Sequence, residues 1–181
     1  MFPHEDGEGG VQLRGPSAGD ARAIHQLVTD SGVLEPNSLY AYLLLCTHFA
    51  DTCLVAHDER GPLAGFVAAY RPPVRADTVF VWQIGVATAH RGRGLGVRLL
   101  ATLLRLPGCA GVSYLEATVT ASNEASQRLF ESFAHAHDST WTVQPEFTSD
   151  HFAPAVHEAE DLYRIGPLTA PTPREIHARD L

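Results

Sequence analysis

Residues 83–100, Gln83-Ile84-Gly85-Val86-Ala87-Thr88-Ala89-His90-Arg91-Gly92-Arg93-Gly94-Leu95-Gly96-Val97-Arg98-Leu99-Leu100, constrain this chain more than any other stretch. An apolar segment of β type ends in a basic, glycine-rich turn, and the turn becomes a leucine-rich helix. That order gathers glycines, arginines and the unpaired backbone N–H groups of a helix start at one place, which suits a pyrophosphate.

The flanking segments alternate between strand and helix patterns. Val11 to Arg14 and Leu54 to Ala56 read as strands, and Leu63 to Tyr70 as a hairpin partner joined through the Asp58–Gly61 turn. Thr78 to Val86, rich in Val, Phe, Trp and Ile, reads as a central strand. Val112 to Val119, Thr140 to Val143 and Asp161 to Ile165 complete the strands. Helices are predicted after the N-cap Ser17, with Ile24, Leu27 and Val28 on one face and Gly32 as the stop, and from Ser38 to His48. A third carries Leu95, Leu99, Leu103 and Leu106 up to Pro107-Gly108. A fourth begins at Ser122-Asn123 and buries Ala125, Leu129, Phe130 and Phe133. The pattern is a mixed α/β (α+β) domain over residues 11–167, between polar tails at 1–10 and 168–181.

A formal net charge of -8 excludes broad binding to a nucleic-acid backbone, so the arginines near residue 91 mark a local anion pocket. The longest apolar run, Leu39 to Cys46, is too short for a membrane span of about 20 residues. Cys46, Cys53 and Cys109 are too scattered for a disulfide framework or a zinc site, so no metal is expected. The acidic N-terminus, Met1 to Gly7, has no apolar core of a signal peptide. A cytoplasmic location is the expectation.

Two familiar phosphate-binding turns do not fit. The dinucleotide fingerprint requires its glycines after the first strand, and a P-loop requires Gly-Lys followed by Ser or Thr. Arg91-Gly92-Arg93-Gly94-Leu95-Gly96 instead resembles the acyl-CoA turn of the GNAT N-acetyltransferase superfamily, Q/R-x-x-G-x-G/A, with Arg91, Gly94 and Gly96 at the defining positions. Asn123 and the segment Ala125 to Phe133 resemble the helix that follows in that superfamily. The resemblance implies a GNAT fold: a mixed sheet of about six or seven strands, about four flanking helices and a splayed strand that binds the cofactor. It implies acetyl-CoA as cosubstrate, with the backbone of Ile84, Gly85 and Val86 pairing with the pantetheine arm. Arg91, Gly92, Arg93, Gly94, Leu95 and Gly96 would lie at the pyrophosphate, and Asn123 and Ser126 beside the cofactor.

A narrower resemblance rests on Pro36-Asn37-Ser38-Leu39-Tyr40, Tyr70-Arg71-Pro72-Pro73, Phe80-Val81-Trp82-Gln83, Leu115-Glu116-Ala117-Thr118, His157-Glu158 and Tyr163-Arg164-Ile165-Gly166-Pro167. These segments are similar to the L-2,4-diaminobutyric acid acetyltransferase family, which acetylates a diamino acid on the route to the osmoprotectant ectoine. The resemblance implies Glu35, Tyr40, Trp82, His157 and Glu160 around the diamino acid and a homodimer, and on chemical grounds Glu160 with His157 is the candidate pair to accept the proton of the amine. Glu35 stands where that family often carries Asp. The side chains suit such a substrate, since carboxylates hold ammonium groups and an aromatic face attracts a cation. Phe130 stands where many members of the superfamily place a tyrosine acid. A different small amine as acceptor, such as ornithine, lysine or an aminoglycoside, and an acyl-CoA-binding module without turnover are the alternatives.

Overall fold

The computed structural model describes residues 10–58, 61–152 and 157–168. Its elements run β1 (Val11–Arg14), α1 (Ala21–Ser31), α2 (Leu39–His48), β2 (Cys53–Asp58), β3 (Leu63–Tyr70), β4 (Thr78–Val86), α3 (Leu95–Leu103), β5 (Tyr114–Thr120), α4 (Glu124–Ala136), β6 (Trp141–Phe147) and β7 (Glu160–Ile165). The seven strands form one sheet in the order β1-β2-β3-β4-β5-β7-β6. Every neighbouring pair is antiparallel except β4 and β5.

Side chains alternate across the strands, so each face has its own core. On one face Leu99, Leu100 and Leu103 of α3 and Phe130 and Phe133 of α4 pack on Val79, Val81, Leu115, Ala117 and Ile165. On the other, Ile24, Leu27 and Val28 of α1 and Tyr42 and Cys46 of α2 pack on Val55, Phe66 and Ala68. This second cluster draws its strand residues from β2, β3 and β4, which leaves the same face of β5 and β7 available for a cavity.

The predicted elements are all present, and their ends differ where local chemistry decides. Ser17 does not cap α1 directly: it forms a capping box with Asp20 around a short 3-10 turn, and α1 starts at Ala21. Gly32 ends α1 in the left-handed conformation, φ 65°. Helix α3 stops at Leu103, short of Leu106, because Leu106 precedes Pro107 and is held extended. Strand β6 runs to Phe147, beyond Val143, since an edge strand tolerates Pro145. The hairpin turn is closed by Gly61 N–H donating to Asp58 O, while residues 59 and 60 lie outside the described residues. So do the tails expected at 1–10 and 168–181, apart from Gly10 and Leu168. Leu168 is buried in the core and its N–H donates to Ser113 O at 2.7 Å.

The first strand is tied to α1 by charge. Asp20, almost fully buried, accepts from Arg14 Nη1 at 2.9 Å and Nη2 at 2.7 Å and from the N–H of Ser17 at 2.7 Å. The Arg14 guanidinium beside it holds the Asp20 carboxyl well below the usual carboxylate range. A depressed folded pKa adds stability that is present above the unfolded value, about 4, and is lost as pH falls below it. Asp20→Asn should therefore cost about 2 kcal/mol in urea unfolding at pH 7. The difference from wild type should shrink as the melts are repeated toward pH 3.

Candidate active site

Strand β4 pairs with β5 over only three positions, Thr78↔Tyr114, Val79↔Leu115 and Phe80↔Glu116. Beyond Phe80 the strands part, and β5 continues beside β7 up to Thr120↔Glu160. The β5-facing edge of residues 81–86 thus has backbone donors and acceptors without a strand partner, an opening for an extended ligand that pairs like an added strand. The divergence coincides with a β-bulge. The register against β3 passes from Ala68↔Gln83 to Ala69↔Val81, so Trp82 is the extra residue. A bulge re-aims side chains. Here Trp82 packs into the α1/α2 cluster while its neighbour Gln83 reaches the loop before α2 on that same side.

A cavity of about 870 Å³ lies along the opening on the α3 side. Ile84, Gly85, Val86, Arg91, Gly92, Gly94, Leu95 and Gly96 line it, with Asn123 and Ser126 from the start of α4. Gly94 is the residue before α3 and has φ +75°, a conformation that only glycine adopts without strain. Gly96 permits close packing of α3 on α4, since a Cβ there would meet Leu129 Cδ1 at 2.9 Å. Arg91 Nε donates to Val86 O at 3.1 Å, which ties the turn to the end of β4. The free backbone edge, the uncapped amides of α3 and the arginine fit an arm ending in a pyrophosphate. Arg93 is exposed and does not line this cavity. Asn123 is a helix cap as well as a lining residue, its Oδ1 accepting from Ser126 N–H at 3.1 Å.

A second cavity of about 860 Å³ adjoins the first, the two sharing Val33, Leu34, Ile84, Thr120, Asn123 and Ser126. It lies on the face of β5 that α1 and α2 leave open. Glu35, Trp82, His157 and Glu160 all line it, as do Glu146 and Glu158. His157 precedes β7, so strand alternation does not bind it. Its ring stacks on Phe152 at 4.1 Å, and its Nε2 lies 3.3 Å from Glu35 Oε2 and 3.5 Å from Glu160 Oε1. Nδ1 lies 2.7 Å from the backbone oxygen of Glu158, so it carries the hydrogen. With acceptors at both nitrogens the imidazolium is favoured: the Glu158 carbonyl first, then Glu160 and Glu35, raise its pKa above 6.5 against the opposing effect of desolvation. Glu158 is occupied differently, its Oε2 accepting from Ser122 N–H at 3.2 Å.

Tyr40 is not brought to this cluster. It is 67% exposed and lines neither cavity. Two residues along a helix turn a side chain by about 200°, and here it is Tyr42, 1% exposed, that faces inward. Tyr42 accepts from Asn37 N–H at 3.3 Å and donates to Gln83 Oε1 at 2.9 Å, while Gln83 Nε2 donates to Glu35 O at 3.0 Å. Tyr42 and Gln83 thus hold the loop that carries Glu35. The sequence offered no periodic signal for this choice, because α2 is apolar on every side. Phe130 is buried against Tyr163 and lines the second cavity, so no hydroxyl stands at that position. Among the described residues no cluster of three or more His, Cys, Asp or Glu could hold a metal, and no helix is long and apolar enough to cross a membrane.

A splayed β4/β5 pair beside a glycine turn at a helix start defines a GNAT acetyltransferase, and the profile of the Acetyltransferase (GNAT) family matches residues 21–135. The L-2,4-diaminobutyric acid acetyltransferase of Marinococcus halophilus is 49% identical over 154 residues, covering 85% of this chain and 88% of that one. That of Bordetella parapertussis is 46% identical over 159 residues, covering 88% and 86%. The structure of diaminobutyrate acetyltransferase EctA from Paenibacillus lautus, in complex with L-2,4-diaminobutyric acid and coenzyme A, superposes with a TM-score of 0.85. It is 38% identical and covers 91% of this chain and 99% of its own. The chain belongs to the L-2,4-diaminobutyric acid acetyltransferases, a branch of the GNAT family, and is an acetyl-CoA-dependent N-acetyltransferase.

The close approach at Gly96 generates a test of the first cavity. Gly96→Val should push α3 from Leu129 and raise the KM for acetyl-CoA at least about tenfold, about 1.4 kcal/mol of binding. The KM for the amine should change much less in the same steady-state assay.

Proposed function

We propose that this chain transfers the acetyl group of acetyl-CoA to the side-chain amine of L-2,4-diaminobutyrate, giving the Nγ-acetyl product for ectoine synthesis. The observation that carries this reading is the junction of an acid-lined cavity with the cavity along the β4 opening, at Ile84, Thr120, Asn123 and Ser126. Acetyl-CoA supplies an activated acyl group. The backbone of Ile84, Gly85 and Val86 holds its pantetheine arm, and Arg91, Gly92, Gly94, Leu95 and Gly96 hold its pyrophosphate, with Arg93 outside the cavity. Asn123 and Ser126 border both ligands.

Glu35 and Glu160 hold the ammonium groups of the diamino acid, and Trp82 gives them an aromatic face. An alkylammonium of pKa about 10 must lose a proton before it can attack a carbonyl. His157 and Glu160 remove it. A second cation entering between Glu35 and Glu160 repels the imidazolium, and the site releases one proton. The Glu158 carbonyl keeps the hydrogen on Nδ1, so Nε2 is the atom that gives up and regains a proton. A backbone N–H between Trp82 and Ile84 steadies the developing oxyanion. The thiolate departs without an acid at Phe130, since a thiol of pKa about 8.5 is a competent leaving group near neutrality, and it takes up the proton that the acylated nitrogen sheds as the amide forms.

The homodimer expected of the family is supported by the open edge of β6, where Val143 and Phe147 are exposed. The cytoplasm, where acetyl-CoA is made and used, is the compartment that suits it.

Release of the CoA thiol with a panel of diamines tests the reading: 2,4-diaminobutyrate should be turned over with the highest kcat/KM, and preference for another amine would refute it. In that assay Glu160→Gln should lower kcat about 10²-fold or more. The wild-type rate should rise with pH through a limb above 6.5, since His157 must become neutral, and this limb should be absent from His157→Asn. Full activity in Glu160→Gln would remove Glu160 from the proton path.

A further inference from the structure

The cavity that receives the amine has an opposite end whose charge the amine does not explain. Glu35, Glu146, Glu158 and Glu160 all belong to the end where β7 begins and β6 finishes, since Phe147 pairs with Glu160. Four residues further along β7, Arg164 pairs with Glu116 of β5, and beside them Arg75, from the loop before β4, lines the cavity. Glu116 is 1% exposed and is bound by Arg164 Nη1, whose guanidinium lies 3.8 Å from the centre of the Tyr114 ring. One cation already neutralises this carboxylate.

Arg75 is a second cation on the same carboxylate. Its Nη2 is 2.8 Å from Glu116 Oε2, an ion-pair distance without the alignment of a hydrogen bond. Its side chain is 42% exposed. The nearest other acid in sequence, Asp77, receives the Thr78 hydroxyl at 3.1 Å and does not line the cavity. Two guanidiniums against one buried carboxylate leave one positive charge, and the Arg75 fork retains N–H donors that Glu116 does not align with.

We infer that Arg75 is the receptor for the α-carboxylate of the acceptor, and so the residue that selects a diamino acid over a plain diamine; this rests on the diaminobutyrate reading above. The dimensions agree. Glu160 and Arg164, which shares Glu116 with Arg75 and so marks its end of the cavity, are about 13 Å apart along β7 at about 3.3 Å per residue. Four bonds of about 1.5 Å connect the side-chain nitrogen of diaminobutyrate to its carboxylate carbon, about 5 Å when extended. A charge-assisted hydrogen bond of about 2.8 Å at each end, together with the length of the side chains, bridges the remainder. The acids then hold the reacting amine beside the β4 opening while Arg75 holds the far end, with a planar fork suited to a carboxylate.

The test compares two acceptors with the same amines, 2,4-diaminobutyrate and 1,3-diaminopropane, which lacks only the carboxylate. Wild-type enzyme should prefer diaminobutyrate strongly. In Arg75→Gln that preference, as a ratio of kcat/KM values, should fall 10- to 100-fold, mainly through the KM for diaminobutyrate. Arg75→Lys should restore part of it, and thermal melts of both variants report folding. An unchanged ratio, an equal loss on both amines, or a wild-type enzyme without the preference would overturn the assignment. Wild-type turnover of neither amine would overturn the diaminobutyrate reading and this one with it.

Discussion

The structure depends on where β4 and β5 stop pairing. Three parallel pairs hold the strands together from Thr78 to Phe80, and from Val81 onward the backbone edge that faces β5 is left open. A sheet interior normally satisfies such groups in its own ladder. The open edge suits an extended ligand, and the rest of the fold compensates: β5 finds its second partner in β7, and β4 pairs with β3 from Phe80 to Val86. Cores on both faces keep the diverging strands from closing, Leu99 and Leu103 on one side and Phe66 and Tyr42 on the other. The bulge at Trp82 lies at the point of divergence, so the residue that re-aims the strand also borders the acceptor cavity.

Charge then gives the cavity a direction. Carboxylates gather at one end and are partly balanced by a single imidazolium, and a surplus guanidinium stands at the other. His157 is the pivot of the acidic end, because it touches Glu35 on the loop before α2 and Glu160 on β7, two segments far apart in sequence. Removing its proton loosens both contacts at once. In the proposed reaction, binding of a cationic substrate and release of a proton are then the same electrostatic event.

Much of this was legible in the sequence, because it is local. The central strand, the glycine turn, the helix from Ser38 and the stop Gly32 depend on neighbours within a few residues. The resemblance that implies the GNAT fold and the acyl-CoA turn lies within residues 83–133. What could not be read depends on register and on distant contacts. Nothing in the sequence distinguishes a bulged Trp82 from a regular strand residue, and an all-apolar helix does not reveal that Tyr42 rather than Tyr40 turns inward. The Arg75–Glu116–Arg164 group joins a loop to two strands, and only the β5/β7 register brings them together. Alternation along β7 would have turned His157 away from Glu160, but the strand begins at Glu160 and the rule does not reach it.

The central claim is that the free edge of β4 is the cofactor's docking strand, and amide hydrogen exchange with and without coenzyme A tests it directly. Residues 81–86 should exchange readily in the free protein for those N–H groups that face β5, and gain protection together with residues 94–97 when coenzyme A is added. Protection confined to the start of α3, with 81–86 unchanged at saturating coenzyme A, would contradict the account.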